Sequence, residues 1–390
     1  MKQAENFSLV LGGPLYQLWR RTSLAGDALQ LLPRRIIATV LLTWPPLLLL
    51  AVAEGTAWGG RVELPFLHDV ELHVRMLIAL PLLIVAEPAV HARMRLLVGQ
   101  FLDRGLIPDA ARPRFDAVIA SAMRLRNSVA AELLIALVCI VGVAVVWRAQ
   151  AGFAVTGWYG VSDGVRMQPS LAGWWMLCVS LPVFQFLLLR WLFRVFIWVR
   201  FLWQVSRLEL SVMPLHPDRC GGLGFLAEMP LAFLTLLVAL GALLAGMIAD
   251  RIFFAGASLT DFQVEIVGMV AVMLFVLLAP LLAFAPRLAV AQRVGLLEYG
   301  TLAQRYARQF DRKWLRAGAP ADEPLIGSAD IQSLADLGNS FEVVKRMRPL
   351  PFDLASVVPL AGAMLLPVAP LLLTMFSLEE VLIRLMKVVL

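Results

Sequence analysis

Long apolar stretches recur along this chain and are separated by segments rich in arginine. A helix of about 20 apolar residues rises 1.5 Å per residue and crosses a hydrocarbon core of ~30 Å. Seven such stretches stand out: Ile36–Ala53, Met76–Ala92, Val129–Trp147, Leu171–Leu189, Pro230–Ala249, Ile266–Ala285 and Leu354–Phe376. The pattern predicts an all-α, polytopic membrane protein with about seven transmembrane helices.

The seventh stretch allows two interpretations. Pro359, Pro367 and Pro370 interrupt it, and a proline inside a helix removes a backbone hydrogen bond. The stretch can cross the membrane, or it can fold back as a re-entrant hairpin and leave six full spans. The charges of the tail that follows nearly cancel, so both interpretations stay open.

Beyond the sixth stretch the pattern becomes amphipathic. Apolar side chains recur every four residues from Leu302 to Trp314, and every three or four from Ile331 to Val344. This spacing predicts two helices that pack together as a small cytoplasmic layer. We therefore divide the chain into an N-terminal cytoplasmic or interfacial segment (1–35), a membrane core with long helices extending into the cytoplasm (36–316), a cytoplasmic amphipathic helix region (317–353) and the last span with an interfacial C-terminal helix (354–390).

Composition supports a membrane protein over a soluble one. Hydrophobic residues make up 60% of the chain and charged residues 16%, with a mean hydropathy of +0.79. Soluble domains carry roughly 25% charged residues. The three cysteines do not pair in the predicted topology, so no disulfide is expected.

The basic residues set the predicted orientation. With the N-terminus inside, 27 of the 34 lysines and arginines fall in cytoplasmic segments and 7 outside. Basic loops stay on the cytoplasmic side, so this asymmetry predicts a cytoplasmic N-terminus. It also accounts for the net charge of +6 without a nucleic-acid partner. We expect no cleavable signal peptide, because the first apolar stretch begins only at Ile36.

Ionisable residues inside the predicted spans are the first candidate site. Glu87 and Glu132 lie near the cytoplasmic ends of the second and third stretches, where an ionised carboxylate costs up to ~2.5–3.5 kcal/mol. His91 shares a helix face with Glu87 and can exchange a proton with it. Arg190 and Arg194 leave the fourth stretch at the same level. These residues predict a polar inner mouth that conducts protons or ions; interhelical salt bridging is the alternative.

The second candidate is the glycine-rich turn after the fourth stretch. Its candidate residues are His216, Asp218, Arg219, Gly221 and Gly222. Backbone N–H groups ahead of a helix bind anions, and an arginine can support a phosphate. The segment has no Walker-A form and follows no strand. It predicts either an anion- or headgroup-binding loop or a tight cytoplasmic turn.

No metal site and no cofactor are predicted. The segment His68–His73 holds two histidines and two carboxylates, but on a helix the histidines lie about 140° apart. A metal site needs three or four convergent ligands, so we interpret the segment as a hydrated entrance. Prolines also fall inside five of the seven stretches. Each frees a carbonyl that must face protein or a wet cavity, which favours a conduit.

Several stretches resemble a group of uncharacterised bacterial inner-membrane proteins. They are Leu72–Arg75, Ala86–Pro88, His216–Asp218, Gly221–Leu223, Glu298–Leu302 and Ser328–Ser340. The resemblance covers most of the chain from the second stretch onward. It implies a multi-pass protein of the bacterial inner membrane and supplies no activity, substrate or catalytic residue.

The leading functional hypothesis is a homo-oligomeric membrane conduit, a channel or transporter for ions or small solutes. The alternative is a non-catalytic scaffold or sensor that signals through its cytoplasmic helices. A third, weaker hypothesis is a membrane enzyme acting on lipid headgroups near His216, Asp218 and Arg219. The expected partners are the bilayer, its anionic headgroups and further copies of the chain.

Overall fold

The computed structural model describes residues 7–13, 31–60, 62–151, 157–162, 167–316, 318–320, 323–324 and 328–375. Helices hold 76% of these residues, which confirms the all-α fold class. One short antiparallel hairpin pairs β1 (Gly160–Ser162) with β2 (Met167–Pro169).

The helices follow one another with short connections. In the first half they are α1 (Leu32–Thr43), α2 (Pro45–Ala53), α3 (Val70–Val74), α4 (Leu80–Asp103), α5 (Arg112–Arg126) and α6 (Val129–Ala151). In the second half they are α7 (Leu171–Trp175), α8 (Leu181–Ser206), α9 (Leu234–Ala255), α10 (Gln263–Leu282), α11 (Ala285–Phe310), α12 (Ala329–Lys345) and α13 (Leu354–Leu365). Short π-helical segments join α3 to α4 and α7 to α8, so each of these pairs forms one continuous rod.

The described residues contain fewer clear spans than the hydropathy pattern predicts. The helical stretches long and apolar enough to cross a membrane are Leu32–Ala53, Leu171–Ser206, Gly224–Ala255 and Leu259–Leu282. A fifth arises if α5 and α6, which meet at a bend of 42°, count as one broken span. A total of seven is therefore not confirmed.

The last predicted span is broken. Helix α13 has 12 residues and rises about 18 Å, less than the ~30 Å hydrocarbon core. A short 3-10 helix, Ala369–Thr374, follows it. A single straight helix over Leu354–Phe376 is thus not observed. The C-terminal interfacial helix predicted after residue 376 lies outside the described residues.

Helices α1 and α2 meet at a pair of prolines, and the carbonyls freed there bind neighbouring side chains. Pro46 has no N–H, so it leaves the carbonyl of Leu42 without its helical donor. The indole N–H of Trp175 donates to that carbonyl at 3.2 Å. The hydroxyl of Ser180 donates to the carbonyl of Thr43 at 2.7 Å. At this break both carbonyls are thus hydrogen-bonded to protein side chains.

Helix α9 packs against α3, α4 and α13 at the centre of the described bundle. Gly241 of α9 lies directly against the backbone of Met364 in α13. A Cβ added at Gly241 would lie 2.9 Å from the Met364 carbonyl carbon and still closer to its oxygen. The absence of a side chain therefore lets the two helices approach closely, as small residues do in membrane bundles.

Helices α11 and α12 form the predicted amphipathic pair. Tyr306 Oη donates to the carbonyl of Asp330 at 3.1 Å, and Trp314 Nε1 donates to its carboxylate at 2.9 Å. These bonds attach the first turn of α12 to α11, as the apolar period predicts. The sixth predicted helix does not run straight into α11, because α10 ends at Leu282 and α11 begins at Ala285.

Candidate functional site

Five ionisable side chains from four helices meet in the bundle, and we call them the charged cluster. They are Arg35 of α1, Glu87 of α4, Glu132 of α6, and Arg190 and Arg194 of α8. The two α8 arginines are four residues apart and so share a face of that helix. Glu132 lies in the first turn of α6, and Glu87 directly precedes the proline inside α4.

Glu87 is the centre of the charged cluster. Its Oε1 accepts from Nη2 of Arg194 at 2.8 Å and lies 3.8 Å from Nη1 of Arg190. Its Oε2 accepts from Nη2 of Arg35. Glu87 and Arg194 each expose 3% of their side chains. A carboxylate this deeply buried is compensated by charge-assisted bonds to guanidinium groups.

A second carboxylate extends the charged cluster. Oε1 of Glu132 lies 3.6 Å from Nε of Arg190, so that arginine lies between the two glutamates. The structure therefore brings together four of the five residues proposed for the inner mouth. The fifth, His91, contacts Ser8 instead: its Nδ1 lies 2.9 Å from the Ser8 Oγ.

Arg35 is the member of the charged cluster that sequence reasoning missed. Hydropathy places the start of the first apolar stretch at Ile36 and leaves Arg35 in the preceding segment. Helix α1 in fact begins at Leu32, with a proline in its first turn. A proline at the first turn is a known helix-start signal, and it would have placed Arg35 inside the helix.

Residues 7–13 lie over the charged cluster, and we call them the N-terminal cover. Phe7, Ser8, Leu9 and Val10 are all buried. The Phe7 ring packs 4.9 Å from that of Phe201, measured between centroids. The cover is thus a short non-helical peptide held between helices.

Polar bonds attach the N-terminal cover to the charged cluster and its surroundings. Nη1 of Arg126 donates to the Ser8 carbonyl at 2.6 Å, and Nη2 of Arg190 donates to the Gly12 carbonyl at 3.2 Å. Gly13 has φ +91°, and a Cβ there would lie 2.7 Å from Oε1 of Glu132. The positive φ therefore favours glycine at this position, and an added Cβ would in addition displace the Glu132 carboxylate.

The glycine-rich turn is organised around Asp218. Its carboxylate accepts backbone N–H bonds from Cys220 at 2.8 Å, Gly222 at 3.1 Å and Gly224 at 2.9 Å. Burial would raise the pKa of Asp218, but these three backbone bonds and the nearby His216 bring the pKa below its usual value. Nδ1 of His216 lies 2.9 Å from the carboxylate.

This arrangement decides what the turn can bind. The backbone N–H groups of Cys220, Gly222 and Gly224, the candidate anion donors of this turn, already donate to Asp218. An anion would have to displace that carboxylate. Arg219 adopts a left-handed backbone conformation, φ 55°. Its carbonyl accepts the N–H of Arg348 at 2.7 Å, which attaches the turn to the segment after α12.

Comparisons with protein-family models, with curated proteins and with solved structures found no match to this chain. The resemblance to inner-membrane proteins therefore stays a prediction. So do the bacterial inner membrane and the orientation of the N-terminus.

The segment His68–His73 is hydrogen-bonded to its neighbours at the end of the bundle away from the charged cluster. Asp69 caps α3 by accepting the N–H of Leu72 at 2.7 Å and also accepts Nε1 of Trp158 at 2.9 Å. Nε1 of Trp44 donates to Nδ1 of His73 at 3.0 Å. Within the described part of the chain, no three His, Cys, Asp or Glu residues are placed to share a metal ion.

Proposed function

We propose that the protein is a gated membrane conduit for small ions, closed in the present conformation by the N-terminal cover. The observation that carries the proposal is the charged cluster. Its five ionisable side chains, four of them buried and Glu132 partly buried, lie among helices that include two of the clear membrane-span candidates, Leu32–Ala53 and Leu171–Ser206. The proposal includes a homo-oligomer in a bacterial inner membrane with the arginine-rich side in the cytoplasm.

Stability alone is a weak reason for the charged cluster. Apolar residues of similar volume often replace a buried ion pair without loss, or with a gain, in stability. Ionisable groups inside membrane bundles accordingly mark ion and proton pathways more often than structural supports. Glu87, bonded to arginines of two different helices, is the residue on which we expect ion passage to depend.

The N-terminal cover supports gating. It is a short peptide whose polar bonds include Arg190 to the Gly12 carbonyl and His91 to Ser8. Its side chains Phe7, Leu9 and Val10 are buried, so its departure would also expose apolar surface. Such a segment can leave its site without unpacking a transmembrane helix. Displacing it would expose the charged cluster to water.

The local charge favours an anion. Among the described residues around the cover, four guanidinium groups face two carboxylates, with Arg126 added to the five cluster members. A positive field concentrates anions and repels cations. We therefore choose chloride as the first probe and protons as the second.

The test is flux in proteoliposomes that contain a chloride-sensitive or a pH-sensitive dye. We expect low flux for the wild type and a several-fold increase for Gly13→Ala, because the new Cβ clashes with Glu132 and strains the backbone. The matched control is Gly268→Ala, which adds the same atom in open space. Adding Glu87→Gln to the Gly13→Ala variant should change the flux again.

One result would reject the conduit. If folded, membrane-inserted wild-type and Gly13→Ala proteins both pass chloride and protons no faster than protein-free liposomes, the conduit is wrong. Circular dichroism and extraction by carbonate show whether the protein is folded and inserted.

A second candidate, a membrane scaffold or sensor, is favoured by the α11–α12 pair. This pair exposes large apolar side chains, among them Leu297, Leu302 and Ile331. The freed carbonyls at the α1–α2 break also face protein, as a dry bundle requires. A scaffold predicts a partner that binds the wild type and is lost on Leu297→Gln with Leu302→Gln. If the wild type and the double variant recover equal amounts of partner, and the protein passes chloride, the conduit is favoured instead.

A further inference from the structure

An apolar groove runs along the outer face of α8 between that helix, α9 and α10. Its lining includes Leu192, Phe196 and Val199 of α8, Leu240 of α9, and Met273 and Ala279 of α10. Its volume is about 660 Å³, within the range of ~300–1,000 Å³ that ligand pockets occupy. The groove opens sideways, where a membrane would supply acyl chains.

One end of the apolar groove is basic. Arg200 and Phe196 also line an adjoining hollow with Ser121, Arg124 and Ser128, at the junction of α5 and α6. Nη1 of Arg200 donates to Oγ of Ser121 at 3.1 Å, which holds the guanidinium at this junction. We call this second space the basic hollow.

The order of side chains along α8 matches an amphipathic ligand. Leu192, Phe196 and Val199 come first, and Arg200 follows at the end. From Leu192 to Arg200 the helix rises about 12 Å, so an apolar tail and a charged head fit the same ligand. The residues that line the two spaces, all within the described part of the chain, include no carboxylate. The head must therefore be anionic to gain from the arginines.

We propose that the apolar groove and the basic hollow together bind one anionic phospholipid. Its phosphate lies between Arg124 and Arg200 with the hydroxyls of Ser121 and Ser128, and one acyl chain fills the groove. Trp203 borders the groove with half of its side chain exposed. Tryptophan at such a level is typical of the membrane interface. The site is separate from the charged cluster and does not depend on the conduit.

The test uses the full chain, delipidated in mild detergent, with phosphatidylglycerol or phosphatidylcholine added. Native mass spectrometry counts the bound lipids, and thermal unfolding gives the stabilisation by each. We expect phosphatidylglycerol to bind at least tenfold more tightly than phosphatidylcholine. Arg124→Gln with Arg200→Gln should remove most of that preference, since two arginines at about 1 kcal/mol each contribute about 2 kcal/mol to anionic-lipid binding, roughly a 25-fold change in affinity.

Arg207→Gln is the matched control. It removes one positive charge at the end of α8, close in sequence to Arg200, but Arg207 lies over the ring of Trp203 and lines neither space. Its preference for phosphatidylglycerol should stay as in the wild type. Ala279→Phe fills the groove and should weaken the binding of both lipids. A circular dichroism spectrum is the check that this variant is folded.

Four outcomes would overturn the proposal. The first is equal binding of the two lipids by the wild type. The second is an equal loss of preference in Arg207→Gln and in the double variant. The third is that inorganic phosphate stabilises the protein as strongly as phosphatidylglycerol. The fourth is that filling the groove dissociates a dimer and leaves lipid binding unchanged.

Discussion

Replacing Glu87 by glutamine tests whether the charged cluster acts as one unit. The substitution keeps the size of the side chain and removes its charge. Arg35, Arg190 and Arg194 then stay buried with Glu132 as the remaining carboxylate of the cluster. The new amide also directs N–H groups toward guanidinium N–H groups, which have no acceptor to offer.

The expected loss is large. Removing one partner from a buried ion pair costs about 3–5 kcal/mol, because the other charge stays buried without compensation. Glu87 faces three guanidinium groups, two of them by direct hydrogen bonds, so we expect at least ~3 kcal/mol. Arg194→Gln should cost less, because Glu87 retains Arg35 and Arg190. The double variant should lose less than the sum of the two, by about 0.5–3 kcal/mol.

The assay is reversible unfolding in mixed micelles, which gives the free energy of unfolding of each variant. Glu342→Gln is the matched control, since Glu342 also accepts from an arginine, at 2.7 Å, but at an exposed position on α12. Exposed ion pairs of this kind contribute little to the free energy of unfolding. If Glu87→Gln unfolds like Glu342→Gln, the charged cluster is not an interdependent unit and our account of its burial is wrong.

Other expectations concern helix packing, the proline break and the glycine-rich turn. Gly241→Ala should lower the free energy of unfolding by about 1–3 kcal/mol, because the new Cβ clashes with α13. Gly362→Ala is the control: its Cβ enters open space, so the free energy of unfolding should fall little or rise by up to ~1 kcal/mol. Ser180→Ala should cost about 1–3 kcal/mol by leaving the buried Thr43 carbonyl unsatisfied, measured in the same micelle assay. Folding lowers the pKa of Asp218, so the ionised carboxylate stabilises the fold fully at pH values above its unfolded-state pKa of 3.8. This stabilisation is lost as the pH falls through the lower, folded-state pKa. Acid unfolding of Asp218→Asn should therefore lack that step.

Helix periodicity and apolar length predicted the parts of the site that lie on long helices. Arg190 and Arg194 are four residues apart at the end of one apolar stretch, and Glu87 and Glu132 lie near the ends of two others. A topology that turns these ends to one side is sufficient to make them neighbours. The π-helical segments before α4 and α8 keep both rods continuous despite their prolines. The helical stretch through Leu171–Ser206 consequently extends 17 residues beyond the predicted stretch, which ends at Leu189.

The cover and the number of spans were harder to predict for different reasons. Residues 7–13 have no helical or strand period, and their contacts join positions far apart in the chain, such as Ser8 with His91 and Gly12 with Arg190. No local pattern carries that information. Hydropathy measures apolar length, whereas a crossing requires an unbroken helix. Helix α13 ends after 12 residues although the apolar sequence continues.

The two polar levels of the bundle constrain how a conduit would open. Arg35 and Thr43 lie eight residues apart on α1, and Ser180 and Arg190 lie ten apart on the α7–α8 rod. At 1.5 Å per residue the charged cluster and the proline break are thus separated by about 12–15 Å along both helices. Bending α1 at its break would cost the hydrogen bonds from Ser180 and Trp175 to its freed carbonyls. Withdrawing the cover would leave those bonds intact. Opening at the cover would break its own bonds to Arg126 and Arg190 but would not require α1 to bend. The indole N–H of Trp175 should therefore keep its protection from exchange while flux rises in Gly13→Ala.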